Sequence, residues 1–325
     1  MSGFLHPLVT NKPSERILQV TTQKQQQAAK VPFSSRPDIY QHVTDTIITQ
    51  LEKGTAPWHK PWLGGDINPF RLPINQKTGK TYQGINIILL WCASINKEFT
   101  CNDWGTFKQW SEKKESIRKG EKGSMVVYYD TFEKDVDGEI KNVPFLKQSV
   151  VFNRCQLASF QAEQIAENDT TPLVERLDNV ENFVANTKAV VKHTGYKACF
   201  VPSKDEIYMP GKNTFINSEG FTATEAYYST LLHELTHWSG HTSRLDRKQS
   251  RKFADIPYAE EELIAELGAA FLCANLEITN APKPEHANYI AHWLKVLKQN
   301  KYAIISAASS ASKAVDYLHS FQPTK

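Results

Sequence analysis

Residues 229–241 read STLLHELTHWSGH, with His233 and His237 four positions apart and Glu234 directly after the first. On a helix, residues four apart share a face, so the two imidazoles would converge on one point. The preceding stretch, FTATEAYY, argues for that helix. Thr222 and Glu225 form a capping box, hydroxyl and carboxylate each satisfying an orphan amide at the helix start. Gly240 suits the exit. The pattern is then the HExxH of zinc peptidases, in which the histidines hold the ion and the glutamate reaches a water beside it. The bland reading is a helix that carries two histidines by chance. The cap and a suitable ligand downstream weigh against it.

A catalytic zinc takes three protein ligands and a water. Residues 258–272, YAEEELIAELGAAFL, offer Glu260, Glu261, Glu262 and Glu266 on a second helix. A run of carboxylates is usually a solvated helix face. Here Leu263, Ile264, Leu267 and Phe271 make the helix largely buried, so an inward carboxylate needs a partner. Glu262 and Glu266 share a face. Glu262 is assigned as third ligand and Glu266 as the group orienting a histidine, with Glu261 and Glu266 left open as alternative ligands. His241 is a rival that Gly240 turns off the helix. The extended HExxHxxGxxH form needs a histidine where Ser243 stands, which excludes that class. Glu234 is the candidate catalytic base for amide hydrolysis. Tyr258, His241 and Arg244 remain open as oxyanion partners. DEIYMP, residues 205–210, is a candidate edge strand for a peptide.

The chain has 325 residues, enough for two domains of roughly 100–200 each. Its hydrophobic fraction of 40% and charged fraction of 22% are those of a globular protein. A net charge of +3 permits a nucleic-acid partner without requiring one. Cys92, Cys101, Cys155, Cys199 and Cys273 form no CxxC pair, which argues against a disulfide framework and for a reducing cytoplasm. The apolar run 85–95, INIILLWCASI, is shorter than the roughly 20 residues a bilayer span requires. No secretory signal is read at the N-terminus, and no membrane partner is expected.

Along the chain, residues 1–36 read as a polar arm. DIYQHVTDTIITQLEKG places Ile39, Val43, Ile47 and Leu51 on one helix face closed by Gly54. A Pro- and Gly-rich loop over 55–84 leads to helices over 85–96 and 103–120. Strands follow over 124–135 and 145–157, then a polar linker over 161–172. The C-terminal half reads as a helix over 173–195, short strands over 197–211, the motif helix, the carboxylate helix and a long helical tail over 284–321.

Cations and aromatics interleave in the N-terminal half. Trp58, His59, Lys60, Trp62, Lys77, Lys80 and Tyr82 lie in the loop. Lys108, Trp110, Lys113, Lys114, Arg118, Lys119 and Lys122 follow. Rings on which bases stack, with cations that track phosphates, suit a single strand. The duller reading puts the tryptophans in the core and the lysines on a solvated face. Glu112, Glu115 and Glu121 dilute the positive patch.

APWHKPW, TGKTYQGIN, WGTFKQW and KGEKGSMVVYY together resemble the N-terminal domain of ArdC-type antirestriction proteins, a family of conjugative plasmids and polyvalent phage proteins. IYMP, TLLHELTHWSGH, SRLDR and YAEEELIAELGAAFL resemble the zincin-type metallopeptidase domain fused to it. The resemblance implies Zn2+ at His233, His237 and a glutamate of EELIAE, with Glu234 as general base. It implies a single-stranded DNA partner, with double-stranded DNA and a host restriction endonuclease or other host protein as further candidates. The implied role is protection of incoming mobile-element DNA from restriction. The alternative is primarily a zinc metallopeptidase that cleaves a host protein and uses DNA for localisation. The expected fold is α+β in two domains. Residues 37–165 form a mixed α/β DNA-binding domain. Residues 173–325 form a mainly helical zincin-like metallopeptidase domain with a small sheet.

Overall fold

The computed structural model describes residues 38–54, 56–58, 71–136, 139–161, 173–217, 221–247, 256–278 and 286–323. The expected arm over 1–36 and nearly all of the linker lie outside them. The chain is α+β with two domains. In the first, α1 (Ile39–Glu52) buries Val43, Ile47 and Leu51, the face its spacing predicts. The sheet has the order β1-β2-β4-β3, from β1 (Ile74–Asn75), β2 (Asp103–Gly105), β3 (Ser124–Val136) and β4 (Glu139–Asn153). Only β1 and β2 run parallel.

Helix α2 (Ile85–Lys97) is apolar nearly all round because it is covered on both sides. Ile87, Ile88 and Trp91 enter the main core, while Leu90 joins Phe99, Trp104, Val126 and Val151 beneath the sheet. The motif TYQGIN has a local explanation. Gly84 precedes the helix at φ 58° and ψ −137°, backbone space open to glycine. Two residues on, Asn86 pairs its side-chain amide with Val127 on the outer edge of β3, donating to the carbonyl at 2.7 Å and accepting from the N–H at 2.8 Å. A side chain thus completes the hydrogen bonding of an edge strand.

The helix expected over 103–120 is interrupted. Trp104 pairs with Asn153 in the sheet, and a Thr106–Gln109 capping box starts the short α3 (Phe107–Glu112). Lys114, at φ 63°, stops it. Long-range pairing overrides local periodicity there.

In the second domain α4 (Leu173–Thr187) ends at Lys188, φ 60°. The Val-rich end of the expected helix becomes β5 (Val190–His193) instead. It forms a sheet of order β5-β7-β6 with β6 (Cys199–Val201) and β7 (Glu206–Met209). DEIYMP is therefore the central strand, held by a neighbour on each side, and cannot receive a peptide edge-on. The edges belong to β5 and β6. Helices α5 (Ala223–Ser239), α6 (Ile256–Asn275), α7 (His286–Gln299) and α8 (Ala303–His319) complete the fold. The expected single tail helix breaks at Asn300, whose side chain accepts from Tyr302 N–H at 3.0 Å.

One apolar core runs through both domains. Trp58 meets Trp293 edge-on at 5.8 Å, and Trp91 meets Phe271 at 5.7 Å. Thr44 donates to Lys301 O at 2.7 Å, and Ser312 accepts from Gly84 N–H at 2.8 Å. Among the described residues no helix is long and apolar enough to cross a membrane.

Helix α6 approaches α5 closely at Gly268. A Cβ there would lie 2.5 Å from Thr236 Cγ2 and 2.8 Å from its hydroxyl. Glycine inside an exposed helix costs about 0.5–1 kcal/mol against alanine, so alanine would ordinarily stabilise. Here the contact reverses the sign. Gly268→Ala is expected to destabilise by about 1–3 kcal/mol through overpacking, read as a lower urea midpoint.

Candidate metal centre

The HExxH helix is α5, opened by the capping box: Glu225 N–H donates to Thr222 Oγ1 at 3.2 Å, and Thr222 N–H donates to Glu225 Oε2 at 2.9 Å. Gly240 follows its last residue. His233 and His237 aim their Nε2 atoms at one point, 3.1 Å apart. From α6, the carboxylate oxygens of Glu262 lie 3.5 Å from His233 Nε2 and 3.6 Å from His237 Nε2. A tetrahedral ion with ligands about 2.0–2.1 Å away sets them roughly 3.3 Å apart. The spacing of the three donors fits a divalent ion, and His233, His237 and Glu262 are the residues that would hold it.

The surroundings orient the imidazoles. His237 Nδ1–H donates to Glu261 Oε1 at 3.1 Å, and Arg247 grips Glu261 from behind with Nε at 3.1 Å and Nη2 at 2.9 Å. Arg247 also donates to Thr236 O at 2.7 Å and Ser239 Oγ at 3.0 Å, which ties the loop after α5 to the helix. On the other side Glu266 Oε1 lies 3.6 Å from His233 Nδ1. Each histidine thus has a carboxylate behind its Nδ1, leaving Nε2 to face the centre.

The electrostatics follow from burial. Glu261, Glu262 and Glu266 are all buried. Burial alone would raise the carboxyl pKa values. Contact with His233 and His237 outweighs it at Glu262 and holds that group far below the carboxylate range. At Glu261, hydrogen bonds from His237 and Arg247 also outweigh burial and lower the carboxyl pKa. Burial would lower the His237 pKa, but Glu261 and Glu262 push it up to about 10. The cluster demands positive charge at its centre, from protons or from a cation.

Glu234 sits beside this centre, buried, and its Oε2 accepts from Phe200 N–H of β6 at 2.9 Å. The candidate base is held against β6, one of the two edge strands of the small sheet. The three residues left open as oxyanion partners now separate. Tyr258 bonds Glu262 and lies 3.2 Å from the Tyr289 hydroxyl. Burial, then these two groups, push its pKa up and keep it protonated. Arg244 pairs with Asp205, donates to Trp238 O at 2.6 Å and stacks on the Trp238 ring at 3.9 Å. It braces the structure and is not free to meet a substrate. His241 leaves the helix and bonds Ser243 at 2.8 Å.

Sequence reasoning gave no role to Arg247, the Phe200 amide or Tyr289. Arg247 does stand in SRLDR, directly after the motif helix, and a buried Glu261 called for a cation. A backbone amide leaves no mark in sequence.

Of the residues expected to face DNA, His59, Lys60 and Trp62 lie outside the described residues. Trp58 and Trp110 are corrections: both are buried, and Trp110 donates Nε1–H to Phe152 O at 3.0 Å. Their large apolar rings are worth more in the core than in water, so neither presents a face to a base. Tyr82 is half-buried and accepts from Asn75 at 3.3 Å. Lys77 pairs with Glu112 at 2.8 Å, Lys113 donates to Gln76 O at 3.2 Å, and Arg118 holds Leu157 O, Cys155 O and Glu121. Lys80, Lys108, Lys114, Lys119 and Lys122 are exposed.

A two-histidine helix crossed by a carboxylate helix, beside a small sheet, defines a zincin-like metallopeptidase domain, and residues 178–310 match the family described in those words. Residues 37–152 match the N-terminal domain of the anti-restriction factor ArdC. The chain belongs to the ArdC antirestriction family. Crystal structures of the antirestriction ArdC protein from the R388 plasmid resemble it closely. The metal-free form is 37% identical with a TM-score of 0.71, covering 87% of this chain and 97% of that one. The Mn(II)-bound form is 38% identical with a TM-score of 0.69, covering 87% and 98%. The Sinorhizobium fredii protein y4eC is 35% identical over 88% of this chain and 92% of its own length. An Escherichia coli DNA primase TraC is 34% identical over 86% of this chain, which spans 20% of the primase.

Proposed function

We propose that this is a cytoplasmic antirestriction protein that binds DNA, single strands in preference, and shields incoming mobile-element DNA from host restriction endonucleases. The division of labour follows residues 37–165 for DNA and 173–325 for a zinc peptidase. Family membership supports the antirestriction role, and a DNA primase among the relatives supports the DNA partner. Five free thiols accord with a reducing compartment. The exposed Lys80, Lys108, Lys114, Lys119 and Lys122 are candidates to track phosphates. Purified protein is expected to delay cutting of a plasmid by a restriction endonuclease and to bind oligonucleotides in a salt-sensitive way. Unprotected DNA at saturating protein would overturn this reading.

The single observation carrying the peptidase is the donor set of His233, His237 and Glu262 with Glu234 alongside. Two imidazoles and a carboxylate suit zinc; elemental analysis of protein purified without chelator tests that choice against manganese. When bound, the ion supplies a Lewis acid and an acidified water. Glu234 then takes a proton on its carboxylate and passes it to the leaving amine. The outer edge of β6 can align a peptide by backbone pairing, and Tyr258, which bonds Glu262, is the candidate donor to a developing oxyanion.

Glu261 and Arg247 act through His237. Glu261→Gln is expected to weaken metal affinity about 10–100-fold, measured by competition with a chromophoric chelator. Unchanged affinity would show that Glu261 serves packing alone.

The presence of a base beside the centre also supports a second reading, in which cleavage of a host protein is the main activity and DNA serves localisation. Protection that depends on Glu234 would select it.

A further inference from the structure

Bases stack only on rings that solvent can reach, and Trp58 and Trp110 offer none. Exposed rings occur elsewhere: Tyr129 is 60% exposed and Tyr302 50%. These two, with Tyr40, line a cavity of about 290 Å3. Three elements distant in sequence build it. Tyr40 comes from α1, Tyr129 from β3, and Tyr302 stands at the start of α8. Tyr40 and Tyr302 meet edge-on, centroids 4.7 Å apart, and the Lys301 ammonium lies 5.3 Å from the Tyr302 centroid.

Apart from Ile305, the rest of the lining is polar. Ser306, Ser309, Ser310 and Lys313 follow Tyr302 at helical spacing, so their hydroxyls and ammonium share one face of α8. Among the described residues no hydrogen bond or ion pair engages these hydroxyls or Lys313. A lipid tail seated here would strip water from four polar groups and return no acceptor, and a peptide's carbonyls are acceptors but bring no negative charge to Lys313. A nucleotide supplies both halves of the match, a base for the rings and a phosphodiester for the hydroxyls and the cation.

We propose that this tyrosine–serine groove holds a nucleotide unit of single-stranded DNA. The assignment rests on the DNA-binding reading above and moves the stacking platform from the loop over 55–84 to the seam between α1, β3 and α8. A strand lying there touches both domains at once.

The test is fluorescence anisotropy of a labelled oligo-dT with the full chain and four variants. Tyr129→Leu and Tyr302→Leu are each expected to weaken binding about five- to hundredfold. Lys313→Gln is expected to flatten the slope of log affinity against log salt by about 0.7. Tyr196→Leu, at a ring 96% exposed and outside the cavity, should bind as the wild type does. Wild-type protein that fails to bind at low salt would sink the DNA-binding reading and the groove with it. Wild-type binding that all the groove variants retain would overturn the groove alone. Crosslinking of wild-type protein to a bromodeoxyuridine oligonucleotide covers the case of a variant that does not fold. Adducts at Tyr129 or Tyr302 support the groove, and adducts confined to other peptides refute it. Groove variants with normal DNA affinity that lose a protein partner would mark a protein-docking surface, also refuting it.

Discussion

Glu234→Gln is expected to keep the metal and lose hydrolysis. Both histidines and Glu262 stay in place, and glutamine preserves the shape that accepts from Phe200 N–H. What disappears is the carboxylate that takes a proton beside the centre. General-base removal costs about 10²–10⁴-fold in rate, so cleavage of an unfolded protein substrate should fall by that factor while bound metal, by elemental analysis, stays the same. Hydrolysis that survives at the wild-type rate would remove Glu234 from the chemistry. The same variant divides the two functional readings. Full protection of DNA against a restriction endonuclease would mean the protein acts by covering DNA. Protection that vanishes with hydrolysis would mean that a cleaved host protein is the point of action.

Trp293→Ala is expected to cost about 3–5 kcal/mol, the range for emptying a buried large aromatic site. Trp293 is fully buried on α7 and packs against Trp58 of the first domain and Tyr289 beside it. The cavity therefore opens between the domains, and both should melt together. Circular dichroism would follow the helices of the second domain, and amide hydrogen exchange of β3 and β4, read by mass spectrometry, would follow the first. Coincident transitions shifted to lower temperature are the expected outcome. A first domain that melts at its original temperature would show the core to be divisible.

The centre was legible in sequence because its geometry is local. An i, i+4 pair on a capped helix fixes two donors wherever the helix goes. Choosing among Glu261, Glu262 and Glu266 was a different problem. Successive helical residues point about 100° apart, so the choice depends on how α6 is rotated against α5. That rotation depends on packing such as the contact of Gly268 with Thr236, a meeting of residues far apart in sequence. The tryptophans were harder still. Trp58 and Trp110 sit in cation-rich stretches that read equally as a stacking surface or as core, and only their nonlocal partners decide. The helix expected over 103–120 failed for the same reason: Trp104 takes its partner from β4.

The continuous core also bears on how such a protein can be assembled from parts. The polar stretch over 161–172 looks like a place where gene segments could be cut and exchanged. A break there would leave Trp58 and Trp91 without Trp293 and Phe271, and Thr44 without the Lys301 carbonyl. Each fragment would carry a raw apolar face, prone to aggregation before it found a new mate. The inheritable module is thus the pair, residues 39–325, and any chimera that swaps one half must bring along helices α1 and α2 or redesign the surface that receives them.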